Sequence, residues 1–149
     1  MNSYNMPETI PNWINGEEIA ADSGATFGKL SPHSGEKLYR VARSNGQDVK
    51  TAIQAARKAQ AGWAEITPVQ RGDILYDITL AMRKYREEIA TIVAAETGMS
   101  FQAALAETGG AIAQGEFMAG EGRRFYGRTT TSAVTNKYAQ TVRQPLGVA

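Results

Sequence analysis

The sequence predicts a mixed α/β fold dominated by four helices, and three observations carry that reading. Four stretches between Ser44 and Tyr126 place apolar residues at helical spacing. An Asn15-Gly16 pair sits between two short strand-like runs, the strongest short hairpin signal, because both turn positions need positive φ. Lys37 to Arg43 and Lys137 to Arg143 alternate in the manner of strands and are rich in β-forming residues.

Taken in order, residues 1–12 read as a flexible arm, since residues 1–10 are polar and aperiodic. The hairpin runs from Trp13 to Ile19, and Asp22 to Leu30 is irregular. Ser31-Pro32-His33-Ser34-Gly35 is a turn by composition and leads into the strand from Lys37, with Tyr39 and Val41 on one face. Ser44 or Asn45 caps a first helix whose stripe is Val49, Ala52, Ile53, Ala56 and Trp63, with Gly62 as its expected end. Thr67-Pro68-Val69-Gln70 is a capping box with proline at the first helical position, and Ile74, Leu75, Ile78 and Met82 form the expected buried face of a second helix. Arg86-Glu87-Glu88 opens a third helix at the end where acids are favoured; Ile89, Ile92 and Val93 face inward and Gly98 stops it.

The fourth helix, Ser100 to Tyr126, is unusual. Phe101, Leu105, Ile112 and Ala119 recur at helical spacing, beside the seven-residue row Ala104, Ala111, Met118 and Phe125. Gly109, Gly110, Gly115, Gly120 and Gly122 interrupt it. Each glycine costs a helix about 1 kcal/mol relative to alanine, and close approach of another backbone is the natural compensation. Thr129 to Ser132 then reads as a linker. The strand Lys137 to Arg143 has no sequential partner, so an unpaired edge calls for a partner from elsewhere, such as another subunit. Pro145 stops it, and Leu146-Gly147-Val148-Ala149 reads as the opening of an apolar segment that continues further.

Composition narrows the chemistry. The 149 residues carry a formal charge of +1, which does not point to nucleic acid or to an anionic membrane surface. The start lacks the basic and apolar regions of a signal peptide, no apolar run approaches a membrane span, and a cytoplasmic location is expected. There are 0 cysteines, which removes disulfides, thiolate metal sites and a thiol nucleophile from these residues. Gly120-Glu121-Gly122 starts a dinucleotide-type pattern, but Phe125 stands at the third glycine position and the run closes a helix. Gly115 to Gly120 has phosphate-loop spacing but lacks the Lys-Ser/Thr that should follow. His33 is the one histidine, in an exposed turn, and no metal site is expected. Adjacent Glu87 and Glu88 point to different helix faces, and Asp73, Glu96 and Glu107 are expected to pair with basic residues.

The ordered set of local patterns resembles the start of an aldehyde dehydrogenase. It comprises Trp13-Ile14-Asn15-Gly16-Glu17, Ser31-Pro32-His33-Ser34-Gly35-Glu36, Asp48-Val49 through Ala55-Ala56-Arg57 to Trp63, Arg71-Gly72-Asp73-Ile74-Leu75, Glu96-Thr97-Gly98, Phe117-Met118-Ala119-Gly120 and Arg143-Gln144-Pro145-Leu146-Gly147-Val148. Each is weak alone; in sequence together they are specific, and they run from about Trp13 to Ala149. The family usually shows Asn-Pro where His33 follows Ser31-Pro32, and lysine where Met99 follows Gly98.

The resemblance implies that residues 13–127 form the helical, hairpin-bearing part of a cofactor-binding domain. Residues 128–144 would be a linker and an oligomerisation strand, Lys137–Arg143, joining a sheet across subunits of a homo-oligomer. Residues 145–149 would begin the dinucleotide-binding sheet. It implies oxidation of an aldehyde to a carboxylic acid with NAD or NADP, through a cysteine thiolate and a glutamate that both lie beyond Ala149, so no catalytic or cofactor-binding residue is assigned here. The fourth helix would touch the missing sheet on one side and wall the substrate tunnel on another, at Ala106, Gly110 and Phe117, whose small residues suit a bulky or aromatic aldehyde. A monovalent-cation site near Glu96 is a further implication. Two alternatives stand beside this reading: a non-catalytic module that pairs through its edge strand, and a CoA-acylating or semialdehyde member of the same superfamily.

Overall fold

The computed structural model describes residues 6–149. Among these residues the order is β1 (Thr9–Ile10), β2 (Asn12–Ile14), β3 (Glu17–Ile19), β4 (Thr26–Leu30), β5 (Lys37–Ala42), α1 (Gly46–Glu65), α2 (Pro68–Lys84), α3 (Arg86–Thr97), α4 (Phe101–Glu121), β6 (Thr129–Thr131) and β7 (Tyr138–Gln140).

The hairpin forms as expected, with β2 and β3 antiparallel, Trp13 opposite Glu18, and Asn15 and Gly16 at φ 57° and 81°. Two stretches without a local signal become strands. Thr26–Leu30, expected to be irregular, pairs antiparallel with β5, Phe27 lying opposite Val41. Thr9–Ile10, expected within a flexible arm, pairs in parallel with β5 at Arg40 and Val41. Strands this short are selected by their partner's free backbone groups rather than by their own composition, which is why the sequence conceals them. The rest of that expected arm, residues 1–5, lies outside the described residues.

Asn45 rather than Ser44 caps α1: its side chain accepts from the N–H groups of Gln47 and Asp48. Asp48 reciprocates, one carboxylate oxygen accepting from the Asn45 N–H and the other from the Asp22 N–H, each at 2.8 Å. Gly62 does not end the helix. Nothing crowds it, and α1 runs on to Glu65, where Pro68 forces Thr67 into extended backbone. The Thr67–Gln70 capping box and the stop at Gly98, φ 78°, are as expected.

The helical core lies where α4 crosses α2 and α3. Ala90 and Ala104 are wholly buried, with Thr79, Thr108, Ile112 and Ala119 beside them. Here α2 departs from expectation. Ile74 and Ile78 are exposed, while Gly72 and Thr79 are buried and Leu75 and Met82 half-buried. The reason is the close approach of the two backbones: a β-carbon at Gly72 would lie 2.5 Å from the Ala119 carbonyl oxygen, and one at Gly115 would lie 2.6 Å from the Thr79 methyl. Large residues cannot occupy that seam. Within the chain, Gly115 of α4 thus admits the Thr79 methyl of α2, and Gly109 admits the Arg86 side chain of α3. The helix also ends at Glu121, short of Tyr126.

The last segment corrects two expectations. Thr129–Thr131 is no linker but a strand, and it gives β7 the sequential partner it seemed to lack, in register Thr130 to Ala139. The strand expected over Lys137–Arg143 is confined to Tyr138–Gln140. Residues 141–149 form no strand.

Candidate functional site

The candidate site is the outer face of α4, which the helix presents because its other face is committed to α2 and α3. Ala104, Thr108, Ile112 and Ala119 line the packed side. At about 100° per residue, Ala106, Gly110 and Phe117 fall within roughly 40° of one another and lie opposite that side. The structure thus brings the three sequence-predicted wall residues onto one face. All three are exposed, Phe117 at 60%, and a β-carbon at Gly110 would meet nothing within 4 Å. Ala113 continues the row.

No charged side chain stands in this row. Glu116 is turned toward α2, where it accepts from Arg83, whose pKa is raised by that hydrogen bond and by the carboxylate's charge. Glu121 pairs with Arg124 at 2.6 Å. A helix face that is exposed yet uncharged, alanine-rich and tipped with phenylalanine is suited to covering or contacting apolar matter, not to moving a proton.

Other residues weighed from the sequence sort clearly. Asp73 pairs with Arg123 at 3.1 Å, as expected. Among the described residues Glu96 pairs with no cation; it accepts from the Tyr39 hydroxyl and so ties α3 to β5. Glu107 makes no ion pair among the described residues. His33 is exposed in its turn, where Ser31 Oγ accepts from the His33 and Ser34 N–H groups. Among the described residues no group of three or more His, Cys, Asp and Glu could hold a metal ion. Sequence reasoning missed an open groove of about 500 Å³ between the small sheet and α3, bordered by Ile10, Phe27, Lys29, Val41 and Ile92, and beside the Tyr39–Glu96 contact. Its walls come from segments far apart in the chain, so no local motif could have announced it.

A dinucleotide does not fit the glycine-rich run. Gly120-Glu121-Gly122 lies at the C-terminal end of α4, and the Gly122 N–H is turned back to the Ala119 and Gly120 carbonyls. That end carries the negative pole of the helix, opposite to what a pyrophosphate needs.

Comparison with known proteins decides the family. The sequence model described as the aldehyde dehydrogenase family matches residues 19–149. The chain belongs to the aldehyde dehydrogenase family. It is 33% identical over 141 residues to a malonate-semialdehyde dehydrogenase of Lacticaseibacillus casei, covering 95% of this chain and 29% of that protein. It is 34% identical over 141 residues to an alpha-ketoglutaric semialdehyde dehydrogenase of Bacillus subtilis, covering 94% of this chain and 29% of the relative. Among solved structures, an NADP-dependent enzyme of E. coli superposes with a TM-score of 0.84 at 28% identity, over 87% of this chain and 27% of that one. The chain therefore spans under a third of the length of these three proteins, and its fold matches the corresponding portion of the solved structure. Among its described residues no helix is long and apolar enough to cross a membrane.

Proposed function

We propose that this chain is the N-terminal part of an NAD(P)-dependent aldehyde dehydrogenase, and that the outer face of α4 walls the passage taken by the aldehyde. The observation that carries the second half is the row Ala106, Gly110 and Phe117, exposed on one face with no charge in it. Residues 13–127 form the helical and hairpin-bearing part of the cofactor domain, 128–144 an arm, and 145–149 the start of the dinucleotide sheet. The cofactor is NAD or NADP, held by the rest of the complete protein, since the glycine-rich run here does not suit a pyrophosphate. The thiolate that attacks the aldehyde also comes from outside these residues, which have 0 cysteines. What these residues contribute is orientation: an apolar wall that aligns the tail of the aldehyde and excludes water beside it.

The whole enzyme works in the cytoplasm as a homo-oligomer whose subunits join sheets through the outer edge of β7. The substrate is an aldehyde with a bulky or aromatic tail. A second reading, a semialdehyde, draws on the names of the relatives, which act on malonate and alpha-ketoglutaric semialdehydes.

The test is turnover by the complete protein, wild type and Gly110→Leu, on aliphatic, aromatic and carboxylate-bearing aldehydes, read as NAD(P)H absorbance. The leucine is expected to depress the bulky aldehydes at least tenfold relative to the small ones. An unchanged preference profile would remove α4 from the passage, and preference for the carboxylate-bearing set would establish the second reading. The 149 residues alone are expected to form no NADH and to gain no thermal stability from NAD.

A further inference from the structure

The β6–β7 hairpin is the one paired element whose placement rests on its base. All of its strand residues are exposed, Tyr138 at 91%, so side-chain packing does not hold its direction. Below the last strand pair, Thr129 with Gln140, the ladder continues through side-chain and backbone groups. The Thr141 N–H donates to the Arg128 carbonyl at 2.8 Å, and the Arg128 N–H donates to Thr141 Oγ1 at 2.8 Å. Gly127 lies directly beneath, where a β-carbon would collide with the Thr141 carbonyl oxygen. Arg143 then reaches back across the base. Its Nε donates to the Tyr126 carbonyl at 3.1 Å, and its guanidinium sits 5.0 Å from the centre of the Phe125 ring. One side chain from the segment that follows β7 thus grips two consecutive residues that follow α4, by a hydrogen bond and a cation–π contact at once.

We propose that Arg143 is a latch fixing the direction of the β6–β7 hairpin relative to the end of α4, and that it thereby positions the outer edge of β7 for pairing with a second copy of the chain. The positioning half rests on the assembly reading given above. Arginine suits the task because its planar group can stack on a ring while a nitrogen donates in the same plane, which a lysine ammonium cannot do. Gly127 completes the device by letting the chain pass under Thr141. Both parts lie outside the strands, so they govern where the edge points without altering the edge itself.

The experiment uses the complete protein, wild type, Arg143→Ala, Arg143→Lys and Gly127→Ala. Hydrogen exchange at the Arg128 and Thr141 amides reads the latch, and sedimentation over a concentration series reads assembly. Arg143→Ala is expected to speed exchange at both amides about tenfold and to weaken association about tenfold, from the loss of one hydrogen bond and one exposed cation–π contact. Arg143→Lys should fall between it and the wild type, and Gly127→Ala should reproduce the alanine effect with Arg143 intact. Exchange at the wild-type rate in Arg143→Ala overturns the latch whatever assembly does. Faster exchange with unchanged association overturns the positioning role. A wild-type protein that stays monomeric overturns the assembly reading, while the exchange rates still decide the latch.

Discussion

The two faces of α4 obey opposite rules. On the inner face a β-carbon at Gly115 would strike the Thr79 methyl of α2, and the Ala119 carbonyl leaves no room for one at Gly72 of α2. On the outer face Gly110 is small although nothing stands near it. In the first case glycine's cost to helix stability is offset by close packing; in the second no offset lies among the described residues. Small residues in a helix therefore do not mean one thing. Where they are crowded they report the fold, and where they are open, as at Gly110 and at Gly62 of α1, the packing of the described residues does not account for them.

Four substitutions break or sharpen that contrast. The largest effect is expected from Gly72→Leu, which drives four heavy atoms against the Ala119 carbonyl. It should destabilise by about 3 kcal/mol or more in urea unfolding, and wild-type stability would show that the seam can open. Ile112→Ala, at a site 3% exposed, should cost about 2–4 kcal/mol by the same measurement. Asp48→Ala removes an acceptor shared by the Asp22 and Asn45 N–H groups and should cost about 1–3 kcal/mol. A midpoint unmoved by that change would mean that water replaces the carboxylate. The smallest effect has the opposite sign: Gly110→Ala should stabilise by about 0.5–1 kcal/mol, because an unhindered helical glycine gains from a methyl group. Destabilisation there would reveal a neighbour on the outer face.

How much of this was legible in advance follows the range of the interactions. The Asn15-Gly16 turn, the Thr67–Gln70 box and the Gly98 stop are local, each set by two to four adjacent residues, and they stand as read. Ala106, Gly110 and Phe117 also share a face by periodicity alone. The buried side of α2 was misread because Ile74 and Ile78 are its most apolar residues, whereas the seam selects by size and takes Gly72 and Thr79. Strands β1, β4 and β6 were missed because each needs a partner's hydrogen bonds to exist. The pairing of Glu96 was misread because its partner, Tyr39, lies 57 positions away.

The sequence by itself determined the existence of the four helices, the boundaries at Thr67 and Gly98 and, through its ordered motifs, the aldehyde dehydrogenase family, because caps, turns and periodicity are properties of neighbouring residues. Only the tertiary structure decided which α4 glycines are packed against α2 and which lie open, and that β7 has β6 beside it. Those outcomes depend on how closely two distant backbones approach, and no stretch of sequence carries that distance.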